Sequence, residues 1–395
     1  MLKILLFLLI SNSIALWATD YMILNSIKKP VFIIKAVLKN SEEDDFLYSS
    51  FPELAANKNT PLKIVTLNDL PLLNEERIIE FFPENVSDEK AKLFFQISQK
   101  IPQIKHLKIT GGKNLNFLKS YNFSSIEIVS FKGSSIDFLY KKTVQKLIIK
   151  HSPNLNDKII LCLKSLPLKH LEIDRSVKIT DFSFLRDLKL EVLKIFTGKN
   201  FQKEYLPHSE LRILHITAGT VFSFLLSEQQ IKNLNELVLT NVSIDEKFYH
   251  LLSDSTIKQL ALQQVYVAND AALFNSIGTM KCLKNFYCVG IYGQPGYTIS
   301  ASESSFMPNS LITLVFDNRI FSTVKNVTSL SELKYLKIIK IMNTNVSDIQ
   351  KIKQLNKLNL KGLFLCRYPA SEIKNIQLLF PVNQSHHFRF STDRR

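Results

Sequence analysis

The sequence predicts an α/β solenoid, a parallel sheet built one strand per repeat with short helices or turns on the opposite side. Three observations predict it. A pattern of the form L-x-x-L-x-L recurs between residues 101 and 366, best seen in "IKHLKI", "VQKLII", "LKHLEI", "LEVLKI", "LRILHI", "LNELVL", "IKQLAL" and "LNKLNL". Its twelve copies centre on Leu107, Ile126, Leu147, Leu171, Leu193, Leu214, Leu237, Leu260, Phe286, Leu314, Ile339 and Leu358, which lie 19 to 28 residues apart. The apolar spacing of three and then two suits neither a helix nor a strand alone.

The stretch "LKHLEIDRSVKITDFSFL" (168–185) shows what each repeat asks for. Leu171 and Ile173 lie two apart, so they share one face of a short strand and point inward. Leu168 enters the same core from the preceding turn. Ile179 and Leu185 return to it after a polar bend that holds Thr180 and Asp181. One repeat cannot bury this face alone, so neighbours must stack strand beside strand.

Together these motifs resemble the leucine-rich-repeat superfamily across about residues 101–366, as a divergent member. That resemblance implies a horseshoe with a concave parallel sheet and short convex helices or turns, acting as a recognition module such as a surface or host-directed effector. "KITDFSFL" and "NVSDIQKI" are similar to the I-x-D-I-x-x-L ends of subclasses with short convex turns. The chain departs from the family at the ninth repeat position, commonly Asn. Here it reads Gly112, Phe131, Ser152, Ser176, Gly198, Gly219, Val242, Val265, Ile291, Arg319, Thr344 and Leu363. Buried backbone donors must then find other partners, which predicts irregular bends.

The flanks read differently. "MLKILLFLLISNSIALWATD" has a lysine, an apolar run from Ile4 to Ile10 and small residues, the anatomy of a secretory signal peptide over 1–18 with cleavage after Ala15 or Ala18. The run is far short of the roughly 20 residues of a membrane-spanning helix. Residues 19–100 are expected to cap the open end of the repeats. In them "VFIIKAVL" (31–38) reads as a strand, "LKIVTL" (62–67) as a degenerate first copy, and "SDEKAKLFFQISQKI" (87–101) as a helix capped by Ser87. Residues 367–395 form a C-terminal cap and polar tail, without the apolar end of a GPI signal.

The formal net charge is +15, carried by lysines spread through the repeats. That suits a solvated surface or attraction to acidic partners; a nucleic-acid site would favour arginine with interleaved aromatics. Four cysteines, Cys162, Cys282, Cys288 and Cys366, are too scattered for cysteine-rich caps or a zinc cluster. Cys288 reads as a core residue. His106, His170 and His215 fall at solvent-facing strand positions, with His151 just past a strand, and no carboxylate or cysteine cluster joins them. "GIYGQPG" (290–296) lacks the lysine and hydroxyl of a phosphate loop and reads as a protruding loop. No catalytic order of residues is readable. Neither a metal, a cofactor nor enzymatic activity is expected.

The functional expectation is a secreted, monomeric, non-catalytic module that binds a protein on its concave face and takes no nucleic acid. The alternative is an electrostatic binder of sulfated glycans or anionic lipid surfaces. Outward strand positions in early repeats carry Lys105, Lys108, Lys146, Lys150 and Lys169, with Glu127, Glu172 and Asp174. The middle repeats turn apolar, with Val192, Phe196, Ile213, Val238, Ala261, Tyr287, Val289 and Val315, and an exposed apolar strip marks a contact surface. Phe196 and Tyr287 are the expected anchors, Tyr292 and Tyr297 further contacts from the glycine-rich segment; the alternative is a strip covered by the chain's own segment at 290–310. Sequons at Asn85, Asn122, Asn241, Asn326, Asn345 and Asn383 are glycan sites in a host that glycosylates.

Overall fold

Alternation about each central apolar residue makes strands, and the computed structural model of the chain places them in register. The structure describes residues 104–174, 177–197, 201–207, 211–219, 226–293, 307–317 and 333–342, with residues 330, 355 and 360 and strands at 32–38, 46–51, 63–65, 77–81, 362–366 and 388–391. The chain divides into two compact units, Met1–Phe196 with Tyr205–Ser209, and Thr197–Glu204 with Glu210–Arg395.

In the first unit, β1 (Phe32–Leu38), β2 (Phe46–Phe51), β3 (Lys63–Val65) and β4 (Arg77–Phe81) precede the predicted repeats. They lead into β5 (Ile104–Thr110), β6 (Ser125–Val129), β7 (Lys146–Lys150), β8 (His170–Ile173) and β9 (Val192–Thr197). From β4 to β9 each strand pairs in parallel with the next. β1 also runs parallel to β4, whereas β2 is antiparallel to both β1 and β3. The expected strand at 31–38 is present. The segment 62–67 is not a first repeat, because its strand pairs antiparallel with β2. The parallel strand that precedes β5 is β4, where Ile79 faces Leu107; Glu76 sits where the repeat asks for its first apolar residue, so the pattern hid it. The helix expected over 87–101 lies outside the described residues, as does the signal peptide.

The second unit holds β10 (Ile213–Ala218), β11 (Glu236–Thr240), β12 (Ser243–Ile244), β13 (Gln259–Val267) and β14 (Asn285–Gly293). β15 (Thr313–Asp317), β16 (Ile338–Met342), β17 (Gly362–Cys366) and β18 (Phe388–Ser391) follow. Its main ladder, β10–β11–β13–β14–β15–β16–β17–β18, is parallel throughout. In both units the ladder is open, and short helices fill the connections.

One column of side chains organises each ladder. Leu107, Ile126, Leu147, Leu171 and Leu193 are direct cross-strand neighbours, and so are Leu214, Leu237, Leu260, Phe286, Leu314 and Ile339. All are buried, none more than 3% exposed. The last predicted copy is corrected: Leu363, not Leu358, faces Ile339. "LNKLNL" overlaps a second match, "LKGLFL" (360–365), and the later one keeps the spacing nearer the average. β18 then adds a strand from within the predicted polar tail, where Phe388 and Phe390 alternate and take the register of Leu363 and Leu365.

The connections differ between the units. In the first, 3-10 turns such as Asn116–Ser120, Asp137–Leu139 and Ser183–Asp187 put pairs like Phe184 and Leu185 under the sheet, and α1 (Ile160–Lys164) is a single turn. The second has proper helices, α2 (Glu228–Asn233), α3 (Glu246–Ser253) and α4 (Asp270–Gly278). Each starts on a side chain that accepts an otherwise orphaned backbone N–H: Ser227 with the reciprocal Gln230, Asp245 from Phe248, Asn269 from Ala272. These helices back the core face of the sheet, as the edge-to-face contact of Phe274 on α4 with Phe286 on β14 records, 6.5 Å between ring centres.

The bends answer the missing asparagines. Four residues after the central position the backbone turns left-handed, at Gly111, Ser130, His151, Asn241, Gln264 and Gly290. Four of these carry a side chain, which makes the conformation costly enough to need support. Ser152, fully buried, supplies it once: its Oγ accepts from the N–H of Phe131 one repeat back, at 3.1 Å, and donates to the carbonyl of Lys150. The N–H of His151 donates to Asp174 Oδ2 at 2.8 Å, and Asn241 Nδ2 to the Ala218 carbonyl at 3.0 Å. Where the next residue is β-branched, at Val242, Val265 and Ile291, the chain resumes as strand and a second short ladder forms, joining Ser243 to Tyr266 and Tyr266 to Tyr292. The described bends share one left-handed position and differ in what supports them.

Candidate functional site

A parallel ladder turns each strand's alternate side chains into rows that run across the strands. On the face of the first unit away from the core, one row reads His106, Ser125, Lys146, His170 and Val192, and the next reads Lys108, Glu127, Ile148, Glu172 and Lys194. Lys150 and Phe196 stand one step further along β7 and β9. All these side chains are half-buried, open to solvent and held on regular backbone.

Glu172 is the electrostatic centre of this grid. Lys150 Nζ lies 3.2 Å from Glu172 Oε1 and 3.8 Å from Glu127 Oε1. Burial pushes the Glu172 carboxyl up, but the approach of His170 and the ammonium groups of Lys150 and Lys194 outweigh it and hold it at about 2. His170 Nε2 is 3.9 Å from Glu172 Oε2, beyond hydrogen-bonding range, so the lysines carry most of that effect. Burial pulls His170 below its ordinary value despite Glu172, and it pulls Lys146 down in the same way. The carboxylate thus stays ionised while the imidazole stays neutral at pH 7. No group here is placed as a nucleophile beside a base; the arrangement is a rigid set of charges with an apolar flank.

The second unit corrects the expected apolar strip. His215, Val238, Ala261, Tyr287, Val315 and Lys340 do form one continuous row, but it is not a free surface: these six are 5, 3, 1, 6, 5 and 8% exposed. In-register neighbours stand about 4.8 Å apart, so branched and aromatic side chains in such a row shield one another. Tyr287 therefore cannot anchor a partner as it stands. His215, also expected at the surface, is buried with Nε2 2.5 Å from Glu236 Oε1. Val192, Phe196, Ile213, Val289 and Tyr292 remain half-buried. Tyr292 packs against Tyr266, ring centres 5.1 Å apart, and Tyr266 is 40% exposed. The glycine-rich segment begins as the end of β14 rather than as a loop; Tyr297 lies outside the described residues.

The remaining candidates resolve individually. Cys162 and Cys288 are buried and Cys282 is exposed; burial pushes the Cys162 thiol up to about 12, with Asp137 adding to it, so it is not a nucleophile. His151 pairs with Asp174 at the bend, 3.4 Å away. Among the described residues no group of three or more metal-ligating side chains comes together, and no helix is long and apolar enough to cross a membrane. Of the sequons, Asn85, Asn326, Asn345 and Asn383 lie outside the described residues. Asn122 is exposed, while Asn241 is left-handed with its amide given to Ala218. In a glycosylating host, Asn122 is expected to carry glycan and Asn241 to remain bare, read as site-specific mass shifts after amidase digestion; glycan on Asn241 would mean that this bend opens before it is folded into the ladder.

Sequence reasoning missed Lys194, the left-handed column and Ser152. The left-handed column had a signal: glycine or asparagine stands there at Gly111, Asn241 and Gly290, the residues that accept such a backbone most readily. Lys194 was hidden by the apolar Val192 and Phe196 on either side. Neither a protein-family model nor a curated protein matches the chain.

Proposed function

We propose that the chain is a divergent, secreted leucine-rich-repeat protein whose exposed strand face binds a protein partner without catalysis. The observation that carries this reading is the β5–β9 face: a grid of half-buried cations, two acids and an apolar flank, fixed on consecutive in-register strands. A recognition surface profits from side chains that lose little freedom on binding, and a parallel ladder provides that. The signal-like N-terminus supports export, and the unbroken spacing of buried central residues supports the family.

The test has two parts. Exported material should begin after Ala15 or Ala18; Met1 on exported protein contradicts secretion. The chain from residue 19, immobilised and exposed to candidate host extracts, should retain a protein that the double variant Val192→Ser/Phe196→Ser no longer retains. The excess of lysine over glutamate on the same face favours a second reading, an electrostatic binder of sulfated glycan or anionic lipid. Exposed charges are screened within about 8 Å near physiological salt. Capture that collapses as salt rises from roughly 50 to 300 mM and ignores the Val192/Phe196 change would select that second reading.

A further inference from the structure

The charges on the β5–β9 face do not balance. Four lysines, Lys108, Lys146, Lys150 and Lys194, share it with two glutamates, Glu127 and Glu172, and with Asp174, whose carboxylate accepts from the His151 N–H. Lys150 takes both carboxylates as close partners. Lys146 and Lys194 form no such pair among the described residues, and each acts on Glu172 only at longer range. They flank His170 and Glu172 on opposite sides, Lys146 on β7 and Lys194 on β9. Two strands at about 4.8 Å and two residues at about 3.3 Å put their Cα atoms about 12 Å apart.

Beside these two lysines stand Ile148, Val192 and Phe196, all half-buried. A sulfated glycan offers charge but nothing apolar to cover that flank. A polypeptide offers both. We infer that this face takes an extended, acidic segment of a protein partner, one carboxylate to Lys146, a second to Lys194, and an apolar side chain against Val192 and Phe196. Two acids four residues apart in an extended chain share one face and lie about 13 Å apart at roughly 3.3 Å per residue, close to the lysine separation. Glu172 is a positioning residue: it holds Lys150 aside and keeps the two outer lysines as the anion-seeking groups.

This rests on the protein-binding reading, and the experiment separates the two. A display library of random dodecapeptides is selected on the whole chain in about 0.1 M salt, conditions in which surface charge still acts over about 10 Å. Enriched peptides are expected to carry two acids four positions apart with an apolar residue beside them. Lys146→Gln/Lys194→Gln should weaken them at least tenfold, while Lys189→Gln, an exposed lysine off this face, leaves them unchanged. All variants should still melt cooperatively well above the assay temperature, so that loss of binding is not loss of fold. Enrichment without acidic bias, lost in Val192→Ser/Phe196→Ser, overturns the inference and leaves the protein-binding reading standing. Capture of heparin with no peptide enriched overturns both.

Discussion

Replacing Leu214 by alanine is expected to lower the unfolding free energy by about 2–5 kcal/mol. Leu214 is fully buried in the central column of the second unit, directly beside Leu237, and Ile216 follows it on the same face. Truncation there removes buried methyl groups and leaves a cavity. The neighbours cannot close it cheaply, because Leu237 is itself fixed by its register with Leu260. Ile213, one residue earlier on the opposite face, is half-buried, and its change to alanine should cost well under half as much. Urea unfolding of both variants makes the comparison. A Leu214 loss below about 0.5 kcal/mol, the range of ordinary surface substitutions, would break the register on which the whole ladder rests.

That register was legible because it follows from a period of two within a strand and a fixed recurrence between strands. Eleven central positions could be placed to the residue, from Leu107 to Ile339, without any knowledge of the turns. It failed where the pattern was ambiguous or degenerate: at Leu358, where two overlapping matches compete, and at β4 and β18, where Glu76 and Ser385 occupy the first apolar position. The candidate face was legible in part. Periodicity tells which side of a strand a residue takes, so Lys108, Lys146, Lys150, Glu127 and Glu172 were assigned correctly to the non-core side. Periodicity does not tell how open that side is. The rows holding Glu172 and Tyr287 stand at the same offset from the central residue, yet one is half-buried and charged and the other is closed.

Glu172 gives the second large effect, and its sign is fixed by its surroundings. The carboxyl is held at about 2 in the folded chain against an ordinary 4.5. A depressed carboxylate contributes stability that is fully present above about pH 4.5 and is lost as pH falls toward 2. With the side chain 18% exposed, solvent screens it little, and the shift corresponds to about 3 kcal/mol. Glu172→Gln keeps the shape and removes the charge. The variant should therefore be less stable than wild type by about that amount near pH 6–7, and the gap should narrow steadily from pH 4.5 downward. Lys150, Lys194, Lys146 and His170 face this carboxylate, with Glu127 across Lys150. Glu172 also raises His170 against the effect of burial, so His170 titrates lower still in Glu172→Gln; that widens the gap between pH 7 and 5 and leaves the narrowing below pH 4.5 to Glu172. Urea unfolding of the pair at pH 7, 5, 4 and 3.5 reads the gap directly. A gap that stays constant over that range would mean that Glu172 acts by packing alone, and that the lysines around it are not bound to its charge.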